Sequence, residues 1–407
     1  MSRIAVTSLS YIGHIHPASS IGAEMKSRGH QDYGKIVESA GLEYIPIGER
    51  ECPIGFKDKR DELLSTLSSF DAMKKNMDNF VLDYNIILNE LPDLIKKHKI
   101  DLLIADSTLY AAPAVAEHCG IPFVTIDCIS PVVVESSAAC DMTDWEHINT
   151  WWARPRNWLS YRLVLRAFQP CVEATNIKRK GWNLHPITQP FMDETITRIS
   201  QMPKFVDFPR EWWPQNFHHT GPFFKQDARM KHDFPWDKLN GKPIVYASMG
   251  SLFSGSHGSL SLITQAVSPM DVQLVLTLGG QTNDIINEDL GSHVVVENAP
   301  QLDLLEKASL FITHGGQNSM LEGLAKGVPM VIIPVTSDQF GNANRIKLYG
   351  SGERLSLSGL NPELLRSTVE KVMSHESYTI KAKQAKQLIS ETNGLKRAAD
   401  IIENKLK

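Results

Sequence analysis

Residues 300–344 read PQLDLLEKASLFITHGGQNSMLEGLAKGVPMVIIPVTSDQFGNAN, and the reading of this stretch decides the fold. The apolar run ending at Thr313 has the length of a buried strand, His314-Gly315-Gly316-Gln317 is a turn, and Asn318 to Lys326 carries Met320, Leu321 and Leu324 at helical spacing. Asn318 and Ser319 suit that helix's cap. After Gly327 a second short apolar strand runs from Val328 to Pro334. The segment is a βαβ unit whose first loop is glycine-rich and whose helix N-terminus is open to a ligand. Unpaired backbone N–H groups and the positive end of the helix dipole converge there, and two glycines let the chain approach a phosphate closely. His314 adds a donor. Glu322, a turn further on, is placed to accept hydrogen bonds from ribose hydroxyls, and Ser337-Asp338-Gln339 opens another helix with a carboxylate and an amide suited to sugar hydroxyls. The order of groups fits a nucleotide sugar.

This ordered set resembles the nucleotide-diphosphate-sugar signature of inverting UDP-glycosyltransferases of the GT-B, family 1 type. It looks most like that of the bacterial macrolide and zeaxanthin (carotenoid) glucosyltransferases. The resemblance implies that the Gln301 backbone pairs with uracil and that Glu322 holds the ribose. It implies that His314, Gly315, Gly316, Asn318 and Ser319 cradle the diphosphate, and that Asp338 with Gln339 grips the sugar. Gly250-Ser251, after the strand Pro243 to Met249, resembles a second phosphate-contacting turn. Gln339 matches the glucose-preferring ending of the signature, so UDP-glucose is the implied donor. Two positions depart from the plant members: Asn298 stands where they place a stacking tryptophan, and Gly315-Gly316-Gln317 where they read Cys-Gly-Trp.

Toward the N-terminus, Arg3 to Leu9 reads as a strand, Tyr11 to His16 as the loop after it, and Pro17 as the first turn of a helix ending at Arg28. His14 thus falls at a strand's carboxyl end, where open parallel sheets bind ligands. An imidazole there can take a proton from an attacking hydroxyl. The strand Asp101 to Ala105 ends at Asp106, ahead of a helix from Thr108 to His118, so a His14–Asp106 hydrogen bond can fix the tautomer and stabilise imidazolium. The resemblance points to the same dyad. His16 competes for the role, a polar loop histidine is the plain alternative for His14, and a helix N-cap is the plain alternative for Asp106.

The rest of the chain alternates strands and helices, which implies two Rossmann-like parallel sheets facing across a cleft, an α/β fold of GT-B type. The expected division is 1–215 for the acceptor-binding domain, 216–385 for the nucleotide-sugar domain, and 386–407 for a helix that packs back on the first. After His30 the fold should present another buried strand, yet Gln31 to Lys35 is polar. Helical spacing covers Asp61 to Lys99, Ile121 to Asp127 is another strand, and Trp145, Trp151, Trp152 and Trp158 suit either a pocket for an apolar acceptor or ordinary packing. The proline- and aromatic-rich stretch Phe205 to Phe224 reads as the interdomain connection, and Tyr378 to Lys407 as one final helix.

Composition narrows the classes. A chain of 407 residues with net charge −4 has no basic stripe, which argues against nucleic acid as partner. Five cysteines without C-x-x-C or zinc-like spacing point to a reducing, cytoplasmic setting. The N-terminus has no signal-peptide pattern and no run reaches the ~20 apolar residues of a membrane span; peripheral contact with a membrane remains compatible with a lipid-like acceptor. No G-x-G-x-x-G, G-x-S-x-G or Walker A sequence occurs in the expected places. No metal and no cofactor are expected, the UDP-sugar being a co-substrate; the helix dipole and His314 would neutralise the departing diphosphate. The expected reaction is transfer of glucose from UDP-glucose to a hydroxyl of a small apolar acceptor such as a carotenoid, macrolide or phenolic. A nonhydrolysing UDP-sugar epimerase and a silent nucleotide-binding subunit are the competing readings.

Overall fold

The computed structural model describes residues 2–9, 12–27, 42–43, 45–53, 56, 69–148, 150–188, 195–224, 232–250, 257–279 and 293–406. The stretch after His30 that lacks an apolar run lies outside these residues, as does Ser251.

Strand β1 (Ile4–Thr7) leads into helix α1 (Ile12–Ser27), and helix α2 (Ser69–His98) precedes β2 (Leu102–Asp106), α3 (Ala111–Cys119) and β3 (Phe123–Asp127). A long loop then leads to the helix pair α4 (Ala153–Ala167) and α5 (Gln169–Gly181), followed by β4 (Arg198–Ser200) and β5 (Phe217–His219). The five strands form one sheet in the order β1-β2-β3-β4-β5, every pairing parallel. Strand β2 is fully buried, as expected where helices cover both faces of a parallel sheet.

The second sheet begins with β6 (Ile244–Ser248), α6 (His257–Val267), β7 (Gln273–Thr277) and β8 (Val294–Val296). Short helix α7 (Gln301–Leu305), β9 (Ala308–Thr313), α8 (Gln317–Lys326), β10 (Met330–Ile332), α9 (Gln339–Tyr349) and β11 (Gly352–Arg354) complete it. Strand order is β11-β10-β9-β6-β7-β8, again all parallel. The order reverses between β6 and β9. That switch point is where an open α/β sheet leaves a crevice at its carboxyl edge, and the Gly250 and His314 loops both emerge there.

Helices α10 (Pro362–Ser374), α11 (Glu376–Ser390) and α12 (Gly394–Lys405) end the chain. The sequence pattern suggests one helix from Tyr378 onward, but the helix breaks at Asn393, whose φ is +49°. The break redirects the chain: Ala385 and Ile389 of α11 join the core of the second sheet, whereas Ala398, Ala399 and Ile402 of α12 join that of the first, with Ile4, Ile21 and Ile104. Return to the first domain thus begins at α12, later than residue 386. The 205–224 connection also weaves between bodies. Val206 packs in the second core and Phe223 in the first, and β5 adds to the first sheet, past the expected boundary at residue 215.

Two helix starts differ from the sequence reading. Helix α1 begins at Ile12, so His14 and His16 sit in its opening turns and Pro17 inside it, where the missing amide leaves a single early carbonyl without its helical partner. Helix α8 is capped by Gly316, not by Asn318-Ser319, and no side chain caps it.

Candidate active site

Parallel pairing of β1 with β2 sets Thr7 beside Ala105, so the chain leaving β1 and the last residue of β2 emerge side by side. His14 Nδ1 lies 2.5 Å from Asp106 Oδ2, both side chains buried. The other carboxylate oxygen of Asp106 accepts from the Thr108 backbone N–H at 3.0 Å and the Thr108 hydroxyl at 2.8 Å. Asp106 therefore shapes the turn ahead of α3 and holds the imidazole at once, while the N-cap position of α3 is Tyr110. Burial works against a charge on His14, but the adjacent Asp106 charge and hydrogen bond outweigh it, and Asp338 adds to them, so its pKa is raised above 6.5. Burial likewise opposes ionisation of Asp106, yet His14 and the two Thr108 donors bring its pKa below the usual value. With Nδ1–H given to the carboxylate, the neutral ring presents Nε2 as the proton acceptor.

Cys128, just past β3, groups with His14 and Asp106 so that one ligand atom from each lies within 4.8 Å of the others. Burial, then the nearby Asp106 and Asp127, pushes its thiol well above 9.0. Held protonated, the thiol donates to Asp106.

Across the switch point of the second sheet, the His314 ring is wedged between two glycines. A Cβ on Gly250, whose φ is +75°, would lie 2.6 Å from His314 Cε1, and one on Gly316 2.7 Å from Nε2. Gly315, at φ +83°, has Ile332 just as close. These positions must be glycine because the imidazole and the β10 side chain fill the space a Cβ needs. Burial lowers the His314 pKa to about 4, partly offset by a hydrogen bond with the Ser248 backbone. The ring is neutral near pH 7. It offers hydrogen bonds and no positive charge, unlike the sequence expectation of a charge-neutralising histidine.

Helix α8 starts at this turn. Asn318 accepts from Gln201 of the first domain at 2.9 Å, and the Ser319 hydroxyl makes no hydrogen bond among the described residues. Glu322 is buried with its carboxylate bound by Gln301 Nε2 at 2.6 Å; Gln301 Oε1 in turn accepts from Tyr246 Oη at 3.1 Å. Gln339 uses its carbonyl oxygen to hold the backbone N–H groups of Val335 and Thr336, at 2.9 and 3.1 Å.

Asp338 joins the two halves. Its Oδ2 accepts from the Ser130 backbone N–H at 3.0 Å and from Asn342 Nδ2 at 3.2 Å. Asn342 Nδ2 also donates to the Gly315 carbonyl at 2.9 Å, and its Oδ1 accepts from Ser130 Oγ at 2.5 Å. Burial raises the Asp338 pKa, the Ser130 amide opposing. Sequence reasoning missed Ser130 and Asn342. Asn342 had a signal, one helical turn after Asp338; Ser130 had none. Also unanticipated is Arg345 on α9, fully buried between Asp141 and Asp207, with Nε 2.9 Å from Asp207 Oδ1 and Phe208 packed on its guanidinium.

Two parallel α/β sheets with a histidine–carboxylate pair facing a glycine-wrapped helix start define a two-domain sugar-nucleotide transferase. Residues 56–390 match the model of the UDP-glucoronosyl and UDP-glucosyl transferase family, and the chain belongs to that family. It is 26% identical to the zeaxanthin glucosyltransferase of Pantoea ananas over 99% of this chain and 96% of that one. It is also 26% identical to the oleandomycin glycosyltransferase of Streptomyces antibioticus, over 100% of this chain and 91% of the other. The crystal structure of the glycotransferase of kitacinnamycin superposes with a TM-score of 0.77 at 23% identity, covering 100% of this chain and 99% of that one. The chain is a glycosyltransferase that moves a sugar to a small-molecule acceptor, of GT-B fold. The epimerase and silent-subunit readings are not favoured.

Proposed function

We propose that this enzyme transfers glucose from UDP-glucose, with inversion, to a hydroxyl of a small and largely apolar acceptor. The observation that carries the reading is the 2.5 Å His14–Asp106 pair, on which Asp338 of the opposite domain acts electrostatically. His14 Nε2 takes the acceptor proton as the oxygen attacks the anomeric carbon, the bond from that carbon to the diphosphate breaks, and UDP leaves toward the start of α8. Asp106 stabilises the imidazolium so formed. Asp338 and Gln339 hold the sugar, Glu322 the ribose, the Gln301 backbone the base, and the Gly250, His314, Gly315, Gly316, Asn318 and Ser319 group the diphosphate. The helix terminus and neutral donors meet the leaving group without a divalent metal, so EDTA leaves turnover unchanged. Five unpaired thiols support a reducing, cytoplasmic setting.

The acceptor side favours apolar compounds. Val134, Trp158, Tyr161 and Trp212 line an open cavity in the first domain. Glu135 and Ser136 complete the lining, and none of the lining residues belongs to the dyad or to the donor group. Carotenoid, macrolide and phenolic hydroxyls all suit such a lining. The test is transfer by the purified chain from UDP-glucose, UDP-galactose and dTDP-sugars to an acceptor library, with the product anomer read by NMR. UDP-glucose is used best and gives a β-linked product; equal use of all donors, or an α-linked product, overturns the reading.

A further inference from the structure

Helix α4 wears its polarity inside out. Its inward face is Ala153, Asn157, Ser160 and Tyr161, with Asn157 Nδ2 donating to the Ser136 carbonyl at 3.0 Å. Its outward stripe, together with the turn before it, carries Trp151 (83% exposed), Trp158 (57%), Leu159 (49%) and Leu163 (57%). Leu159 and Leu163 lie one turn apart, Trp158 beside Leu159 widens that face, and Trp151 stands in the turn before the helix. Trp151, Trp152, Trp158, Leu159 and Leu163, all within one short run of chain, are five of the twelve large apolar side chains exposed among the described residues.

The same patch is cationic in an acidic protein. From Trp151 to the end of α4 stand Arg154, Arg156, Arg162 and Arg166 with no Asp or Glu, four positive charges in a chain of −4. Glu211 pairs with Arg154, which still leaves the face positive. Arg162 lies over the Trp158 ring at 5.6 Å, and Arg166 makes no ion pair among the described residues. Tryptophan and leucine interleaved with arginine is the composition of a helix lying in the plane of a bilayer surface: the rings enter the headgroup region and the guanidiniums reach lipid phosphates. No described helix is long and apolar enough to cross a membrane.

We propose that the outward face of α4 docks this enzyme on an anionic phospholipid bilayer, its arginines matching the lipid charge and Trp151, Trp158, Leu159 and Leu163 entering the interface. Trp158 also lines the open cavity of the first domain, so the docking face and that cavity share a wall. The docking stands apart from the assignment of donor and acceptor, because vesicle binding needs no turnover.

The experiment is cosedimentation of the full chain with phosphatidylglycerol/phosphatidylcholine vesicles and with phosphatidylcholine vesicles alone, alongside light scattering without lipid. The wild type binds the anionic vesicles at least tenfold better than the neutral ones and is released by 0.5 M salt. The Trp151→Ser/Leu163→Gln and Arg162→Glu/Arg166→Glu variants each bind at least tenfold more weakly. Both change well-exposed side chains and keep transfer to a water-soluble acceptor, which also reports that they fold. Absence of wild-type binding, variants that bind like the wild type, or self-association through this face that the same variants abolish would overturn the proposal.

Discussion

The two walls of the cleft are held in place by different means. On the donor wall, Gly250, Gly315 and Gly316 pack so closely on His314 and Ile332 that the backbone itself sets the shape. On the acceptor wall, the loop after β3 is strapped to α9 by side chains and charges: Ser130 to Asp338 and Asn342, Asp141 to Arg345, and Trp145 through its carbonyl to Asn344. The donor wall is thus fixed by close backbone packing within the second sheet. The acceptor wall depends on pairs far apart in sequence, and the second domain supplies half of each. The proposed chemistry at the sugar draws on both, since the His14–Asp106 pair belongs to the first domain and Asp338 to the second.

The largest test of that division is loss of the acceptor-side base. His14→Ala reduces kcat by roughly 10²–10⁴-fold while donor affinity, set by the opposite wall, stays near wild type. Because His14 must be neutral to accept a proton and its pKa is raised, activity climbs with pH through a midpoint above 6.5. Asp106→Asn removes the anion that raises it, so the midpoint moves to lower pH as the maximal rate falls. A pH profile unmoved by Asp106→Asn breaks the dyad.

Next comes the strap. Arg345→Met removes the guanidinium shared by the buried Asp141 and Asp207, leaving only the more distant Arg210, 3.5 Å from Asp141, and costs about 3 kcal/mol of stability, the scale of a buried pair stripped of one partner. Denaturant unfolding reads this directly, and a loss under about 1 kcal/mol, the scale of an exposed pair, would show that charge does not hold the acceptor wall. On the donor wall, Gly250→Ala forces a side chain against the imidazole from a left-handed backbone. It lowers kcat/KM for the UDP-sugar roughly 10²-fold, the scale of a misplacement near 1 Å, and leaves the acceptor KM unchanged. An equal rise in both constants would mean that the walls are not independent. The smallest effect is expected of Ser130→Ala, which keeps the backbone donor to Asp338 and loses the hydroxyl bond to Asn342. A neutral hydrogen bond contributes about 0.5–1.5 kcal/mol, so kcat falls tenfold or less, and Asn342→Ala, which also frees the Gly315 carbonyl, falls further.

The uneven legibility of the site follows from the same contrast. Gln301 to Gln339 lie in one run of chain whose strand and helix periods are local, so the βαβ unit and the order of its polar groups could be read there. The dyad was also within reach, because Asp106 ends β2 and His14 follows β1, its neighbour in the sheet. The loop reading for His14 failed because Pro17 is a frequent helix opener, yet here it is tolerated inside α1, where little helical hydrogen bonding is lost. The cap of α8 was misassigned because the demand for glycine at 316 comes from the His314 ring folding back over it, which no pattern of neighbours announces.

By itself the sequence determined the alternation of strands and helices, the glycine turns and the chemical kinds present at each strand end, since these depend on contacts within a few residues. The tertiary structure alone decided that Ser130 and Asn342 close on Asp338, that Arg345 is buried between two aspartates, and that α4 turns its tryptophans outward. Each of these rests on segments brought together from distant parts of the chain, and on burial, which changes the energy of a charge or an apolar ring according to what surrounds it and not according to its neighbours in sequence.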